Sequence, residues 1–196
     1  MKYGLIFLIS YLIGSISGSF IIGKLFLGKD VRNAGSGNAG TTNAFRVLGV
    51  GGGLGTFFID FLKGIILVLI IKKFFGQELI FYAVFCGILG HDFPIYMNFK
   101  GGKGMAMTLG AFAAISVKLT IIPYLIWLST VLITKYVSLG SILFFISSVI
   151  FYIVFGKFSN LSNIFVILIC LMGIFRHKSN IIRLINGNEN KIGGKK

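Results

Sequence analysis

The feature that most constrains this chain is a series of long apolar runs separated by short polar segments. There are seven runs, which cover residues 3–26, 53–71, 79–90, 105–117, 119–134, 137–155 and 161–175. About 20 apolar residues in a helix cross the hydrocarbon core of a bilayer, and a helix satisfies its own backbone hydrogen bonds there. Only 12% of the residues are charged, about half the share in a soluble domain. The sequence therefore predicts an all-α integral membrane protein with a single membrane domain over residues 1–196, of which 187–196 form a flexible polar tail.

The topology depends on residues 105–133, which Lys118 and Pro123 interrupt and which form either one tilted helix or two short ones. With seven helices and the N-terminus outside, thirteen of the 19 basic residues fall inside and five outside. A single helix over 105–133 reverses the balance to seven inside and ten outside. Since basic residues concentrate in cytoplasmic loops, seven helices are favoured, with the C-terminus in the cytoplasm. Segments 31–46, 92–104 and 176–189 then share the cytoplasmic face of the cell membrane.

The first polar segment combines glycines with neutral hydrogen-bond donors and one arginine. Its candidate site residues are Gly35, Ser36, Gly37, Asn38, Gly40, Thr42, Asn43 and Arg46. Glycines allow successive backbone N–H groups to point into one concavity, and an arginine adds a planar charged fork, which together suit a phosphate. The alternative is a flexible loop between helices. The pattern is neither a dinucleotide-binding fingerprint nor a Walker loop.

The second segment places two lysines among three glycines: Lys100, Gly101, Gly102, Lys103 and Gly104. Mobile point charges beside exposed amides describe an anion cradle, and an apolar helix that begins after the last glycine directs its positive end towards it. The alternative is ordinary topogenic charge at a helix end.

The third segment follows the last apolar run and carries His177, Asn180 and Arg183. If the helix continues, these side chains are three residues apart and share one face. The histidine is then a candidate to donate a hydrogen bond to a phosphate or to move a proton. The alternative is a basic juxtamembrane end that contacts anionic lipid.

Ionisable residues within apolar runs form a further candidate set. Asp60 and Lys63 lie three residues apart in the second run, where charges are costly and suggest function. A structural ion pair is the equally weighted alternative. His91 directly follows the third run and is a possible supporting residue. The two histidines and five acidic residues match no ligand spacing, so neither a metal nor a cofactor is expected.

Taken in order, four blocks at residues 35–46, 60–64, 90–104 and 176–189 closely resemble the bacterial acyl-phosphate:glycerol-3-phosphate acyltransferases. The resemblance covers nearly the whole chain. It implies a seven-helix enzyme that transfers a fatty acyl group from acyl phosphate to the 1-hydroxyl of sn-glycerol 3-phosphate. The products are lysophosphatidic acid and phosphate, in bacterial phospholipid synthesis.

The resemblance also implies roles for individual residues. Those that would hold substrate phosphate groups are Ser36, Arg46, Lys103, His177 and Asn180. The residues that would shape the first loop are Gly37, Asn38, Gly40, Thr42 and Asn43, and those that would shape the second are Lys100, Gly101, Gly102 and Gly104. Three positions depart from the family pattern. Thr41 stands where alanine is usual, and Met105 and Met107 stand where valine and threonine are usual. These departures leave the phosphate-holding residues intact.

Other functions fit parts of the pattern. A small transporter for an organic phosphate would also use polar loops in a helical bundle, but no inverted repeat is evident. A headgroup transferase that uses Mg²⁺ is disfavoured because acidic residues are scarce. Nucleic acid is not expected as a partner, since the basic residues lie in short loops between apolar runs. The expected partners are membrane lipid and the two substrates, and no obligate protein partner is expected.

The reaction also needs an acceptor for the hydroxyl proton. The phosphate of the acyl donor is favoured in this role over His177 or Asp92.

Overall fold

A computed structural model of the chain describes residues 1–193, and every regular element within that range is a helix. The α-helices are α1 (Lys2–Ser15), α2 (Thr41–Phe74), α3 (Ile80–Asp92), α4 (Met105–Ile115), α5 (Val117–Thr134), α6 (Val137–Val154), α7 (Asn160–Arg176) and α8 (Lys178–Ile185). A π-helical segment covers Phe20–Phe26, and short 3₁₀ turns cover Val31–Asn33, Gln77–Leu79 and Ile95–Met97. The all-α prediction is confirmed. Residues 194–196 of the predicted tail lie outside the described residues.

Four helical stretches of the described chain are individually long and apolar enough to cross a membrane: α2, Gln77–Met97, α5 and α6. Two bent pairs raise the number to as many as six, namely α1 with the π-helical segment, bent by 53°, and α7 with α8, bent by 54°. The helix α4 is apolar but has only 11 residues, about 16 Å of helix against a core of about 30 Å. Seven crossings and the orientation of the termini stay predictions.

Helix boundaries in the structure correct two of the sequence expectations and agree with a third. The first run is not one helix, because it stops at Ser15 and resumes at Phe20. The 105–133 run forms two helices, since Ser116 has an extended backbone and caps α5 by accepting from the Leu119 N–H. The helix α2 begins at Thr41 and is itself kinked at Gly49, whose φ is 75°.

The chain divides into two compact units, Met1–Ile115 and Ser116–Lys196. In the first, α1 packs on α3 and α2 on α4. Glycines set these approaches: a Cβ on Gly14 would overlap the backbone of Gly87, and one on Gly110 would overlap the backbone of Phe61. Small residues at such points let membrane helices approach closely.

In the second unit, α6 packs on both α5 and α7. Thr120 and Tyr152 share a buried hydrogen bond of 2.9 Å between their hydroxyl oxygens. Large apolar side chains such as Leu125 and Ile150 face outward, which suits contact with lipid rather than water. A single membrane domain over the whole chain stays a prediction.

Candidate functional site

The centre of the first unit contains a buried ion pair between Asp60 and Lys63, whose side chains are 1% and 4% exposed. Their Oδ1 and Nζ atoms are 2.9 Å apart. The same ammonium group donates to the carbonyl oxygens of Gly14, at 2.9 Å, and Ile16. It also lies 2.8 Å from Nδ1 of His91. Because an ammonium group only donates, Nδ1 accepts, so the neutral ring carries its proton on Nε2.

His91 connects this ion pair to the second glycine-rich segment. Its carbonyl oxygen accepts from the Gly102 N–H at 3.1 Å, and the next carbonyl, of Asp92, accepts from the Gly101 N–H at 3.1 Å. The imidazole itself lies against Gly102, where an added Cβ would overlap Nε2. Lys103 follows this anchored turn, and Gly104, with φ at 72°, leads into α4. The prediction that an apolar helix begins after Gly104 is confirmed.

The first segment is held together by one side chain, that of Asn43. Its amide nitrogen donates to the carbonyl oxygens of Val31, at 2.7 Å, and Ala34, at 3.1 Å. Its amide oxygen accepts from the Ser36 N–H at 2.8 Å. Gly35 and Ser36 are exposed, and the glycine has φ at 62°, which closes the turn over Asn43.

The segment is a loop only up to Gly40, which caps α2. Thr42, Asn43 and Arg46 therefore lie on the first turns of a helix rather than in a loop. Arg46 is exposed, and Asn38 is partly buried beside Gly40. The positive end of α2 consequently faces the glycine-rich turn, an arrangement that favours anions.

Sequence reasoning did not identify Arg32, which joins the first two segments. Its Nη1 donates to the Met97 carbonyl oxygen at 2.8 Å, and its Nη2 donates to Oδ2 of Asp30 at 2.7 Å. The hydrogen bonds from Arg32 hold the pKa of the Asp30 carboxyl below its usual value. In the sequence, the only indication of this role is that Asp30 and Arg32, which have opposite charges, lie two positions apart.

A polar cavity of about 420 Å³ opens between the two segments. It is lined by Arg32, Asn33, Gly37, Asn98 and Lys100. The structure thus brings the first and second predicted segments together within one compact unit, with two cationic side chains facing one cavity.

The third segment lies in the second unit, around the bend between α7 and α8. His177 is buried at the bend, and its Nδ1 donates to the Gly173 carbonyl oxygen at 2.7 Å. A carbonyl only accepts, so Nδ1 carries a proton, and Nε2 of the neutral ring is a hydrogen-bond acceptor. The Asn180 N–H still donates to the His177 carbonyl oxygen at 2.9 Å, so the predicted one-turn spacing persists across the bend.

Glu189, also missed as a site residue, organises the end of this segment. It accepts from Nδ2 of Asn180 at 2.7 Å, Nε of Arg183 at 2.7 Å and Oγ of Ser138 at 3.0 Å. Burial opposes ionisation of this carboxyl, but the hydrogen bonds prevail and hold its pKa below its usual value. It is the only acidic residue after Asp92, which was the available signal. The mobility of the 187–196 tail stays a prediction.

The candidate residues are therefore divided between the units. Ser36, Arg46 and Lys103 belong to the first, and His177 and Asn180 to the second. Their common cytoplasmic face stays a prediction. Within residues 1–193, no group of three or more His, Cys, Asp or Glu side chains is arranged to hold a metal ion.

Comparison with known proteins points to one family. The family model described as glycerol-3-phosphate acyltransferase matches residues 4–187. A glycerol-3-phosphate acyltransferase of Finegoldia magna is 44% identical over 186 residues, covering 95% of this chain and 94% of that protein. One from Aquifex aeolicus is 41% identical over 193 residues, covering 97% and 100%.

Two crystal structures of PlsY (YgiH), an integral membrane glycerol 3-phosphate acyltransferase, are also similar. The glycerol 3-phosphate form has a TM-score of 0.91 at 40% identity and covers 98% of this chain and 96% of that one. The lysophosphatidic acid form has a TM-score of 0.86 at 40% identity and covers 97% and 95%.

Proposed function

The chain belongs to the glycerol-3-phosphate acyltransferase family, and we propose that its acyl donor is an acyl phosphate and its acceptor the 1-hydroxyl of sn-glycerol 3-phosphate. The products are lysophosphatidic acid and inorganic phosphate. The chain is a membrane-bound acyltransferase. The observation that carries the proposal is the meeting of two glycine-rich segments at a cavity with Arg32 and Lys100 in its lining.

The chemistry needs positioning and charge neutralisation more than a nucleophilic side chain. The 1-hydroxyl oxygen attacks the acyl carbonyl carbon, a new C–O bond forms, and the bond from that carbon to the phosphate oxygen breaks. Phosphate leaves with the electron pair and takes the hydroxyl proton. Two anionic headgroups must approach each other, and Arg46 and Lys103 offset their repulsion while holding them in line.

The roles of the individual residues follow that scheme. Ser36, Arg46, Lys103, His177 and Asn180 contact substrate phosphate groups. The glycine-rich turns present backbone N–H groups to the same oxygens. The acyl chain stays among the apolar helices while its phosphate end reaches the polar segments.

The proposal includes a topology. Seven crossings with the N-terminus outside place 13 basic residues on the cytoplasmic side, as the positive-inside rule favours. The active site then lies at the cytoplasmic face of the cell membrane, in a single membrane domain over residues 1–196. No metal, cofactor or obligate protein partner takes part.

Purified protein given acyl phosphate and glycerol 3-phosphate, without metal or coenzyme A, is expected to form lysophosphatidic acid and phosphate in equal amounts. Mass spectrometry of the lipid and a phosphate assay measure the two products. Parallel reactions with acyl-CoA and acyl carrier protein as donors distinguish the donor class. Product from a thioester donor alone would contradict the acyl-phosphate proposal while leaving the acyltransferase activity intact.

A second prediction concerns the proton acceptor. We expect His177→Gln to keep turnover within about tenfold of the parent. The glutamine amide replaces the Nε2–H that the imidazolium form donates to a phosphate, and the substrate phosphate still takes the proton. Loss of a general base would cost about 10²- to 10⁴-fold. Steady-state kcat and the Kd for glycerol 3-phosphate are measured together. Normal substrate binding with nearly all turnover lost would instead identify His177 as the base.

A further inference from the structure

We propose that Asp60, Lys63 and His91 form a positioning cluster that holds the break in the first helix and the second glycine-rich segment in the geometry that binds glycerol 3-phosphate. These three residues are buried, and they are not among the residues that line the cavity between the two segments. The proposal rests on the proposed function, because its readout is the affinity for that substrate.

The ion pair takes the place of helical hydrogen bonds at the break. In a continuous helix the Gly18 N–H would donate to the Gly14 carbonyl oxygen. Here Lys63 donates to the Gly14 and Ile16 carbonyl oxygens, and Oδ1 of Asp60 accepts from the Gly18 N–H at 3.2 Å. Opened backbone groups at membrane depth are tolerated only where the protein satisfies them. The cluster therefore supplies the partners that make this break stable.

The break in turn is tied to the first glycine-rich segment. Phe20, the first residue of the π-helical segment, donates its N–H to Oγ of Ser17 at 3.3 Å. That hydroxyl lies 3.2 Å from Oγ of Ser19, which donates to the Ala39 carbonyl oxygen at 2.9 Å. Ala39 directly precedes Gly40, the cap of α2. A shift of the break therefore moves the turn that precedes Arg46.

The third member of the cluster supports the second segment. Nδ1 of His91 accepts from Lys63, which fixes the plane of the ring. The ring then contacts Gly102, and the His91 carbonyl oxygen receives the Gly102 N–H. The ring orientation thus sets the position of the backbone that carries Lys103.

Single charge removals confound folding with positioning, since either leaves an uncompensated buried charge. The double variant Asp60→Asn/Lys63→Gln removes both charges together, and its two side-chain amides still offer a donor and an acceptor to the backbone groups at the break. We expect it to melt within a few degrees of the parent in detergent, because a neutral pair is tolerated where an orphaned charge is not. Its KM for glycerol 3-phosphate, and its Kd measured without donor, are expected to rise about tenfold or more, since displacements of about 1 Å are costly at such sites.

A second pair of variants isolates the Lys63–His91 contact without touching either charge. His91→Ala removes the acceptor, whereas His91→Asn places an amide oxygen near the position of Nδ1. Both lose the ring contact with Gly102, so their difference reports the hydrogen bond. We expect KM to rise in His91→Ala and to rise much less in His91→Asn, because the asparagine restores the acceptor for Lys63. Thr120→Val, which removes a buried hydrogen bond in the other unit, is the matched control and is expected to lower melting temperature with KM unchanged.

Three results overturn the proposal. One is parental KM and Kd in the double variant. Another is equal KM for His91→Ala and His91→Asn. The third is that every variant keeps the parental KM and loses only active fraction, in proportion to its drop in melting temperature, as expected for Thr120→Val. Inability of the parent protein to bind or acylate glycerol 3-phosphate would instead refute the proposed function, whatever the variants do.

Discussion

Lys103→Ala is expected to lower kcat/KM for glycerol 3-phosphate about 100-fold or more, with the protein still folded. The turn before Lys103 is held by backbone hydrogen bonds to the carbonyl oxygens of His91 and Asp92. These bonds fix the backbone position of Lys103 close to the positive N-terminal end of α4. Removal of one preorganised donor that stabilises the charge developing in a transition state typically costs about 10²- to 10³-fold. Arg46→Ala, which alters the exposed arginine on the first turns of α2, is expected to have a comparable effect.

Kinetics with both substrates varied, combined with melting curves in detergent, measure this prediction. Lys72→Ala is the matched control because it removes one exposed lysine at the far end of α2. It is expected to keep parental kcat/KM. Parental activity in both Lys103→Ala and Arg46→Ala would remove the phosphate-binding interpretation of the first two segments.

Gly101→Ala is expected to raise KM for glycerol 3-phosphate about tenfold or more by displacing the second segment. An added Cβ would lie 2.6 Å from Cδ of Pro94 and 2.9 Å from the Asp92 carbonyl oxygen, and it would overlap the His91 carbonyl oxygen. Backbone and proline atoms cannot rotate away, so the segment itself must shift and lose the hydrogen bond from the Gly101 N–H to Asp92. Overpacking of this kind costs about 1–3 kcal/mol.

The control for this substitution is Gly51→Ala. Gly51 lies within α2, and a Cβ there has no neighbour within 4 Å. Since alanine is the better helix former, we expect equal or slightly higher melting temperature and unchanged KM. Equal kinetics for Gly51→Ala and Gly101→Ala would show that the second segment does not depend on its close contact with His91.

Much of the architecture was predictable because hydropathy acts over short stretches of sequence. The apolar runs identified the helices, and the division of 105–133 into two helices followed from the charge balance. The helix breaks were harder to predict from the sequence. Three serines and two glycines lie at residues 14–19 and weaken a helix there. This local signal does not show how the break after Ser15 is stabilised, because the stabilising groups are supplied by residues about 50 positions later.

The candidate site shows the same division. Glycines, lysines and arginines predicted anion binding at the first two segments, since those residue types have that chemistry in any fold. Sequence alone left Asp60 and Lys63 balanced between structure and function, and missed Arg32 and Glu189. Each of these side chains is defined by its partners: Arg32 by a carbonyl 65 positions away, and Glu189 by Ser138, 51 positions away.

The sequence by itself determined that the chain is helical, membrane-embedded and basic in its loops, and which residue types suit an anionic substrate. Only the tertiary structure decided how those segments are held. A buried charge must find its partner through space, and an opened helix must find donors and acceptors from other helices. Lys63 meets both requirements at once, and that coincidence depends on packing rather than on any pattern along the chain.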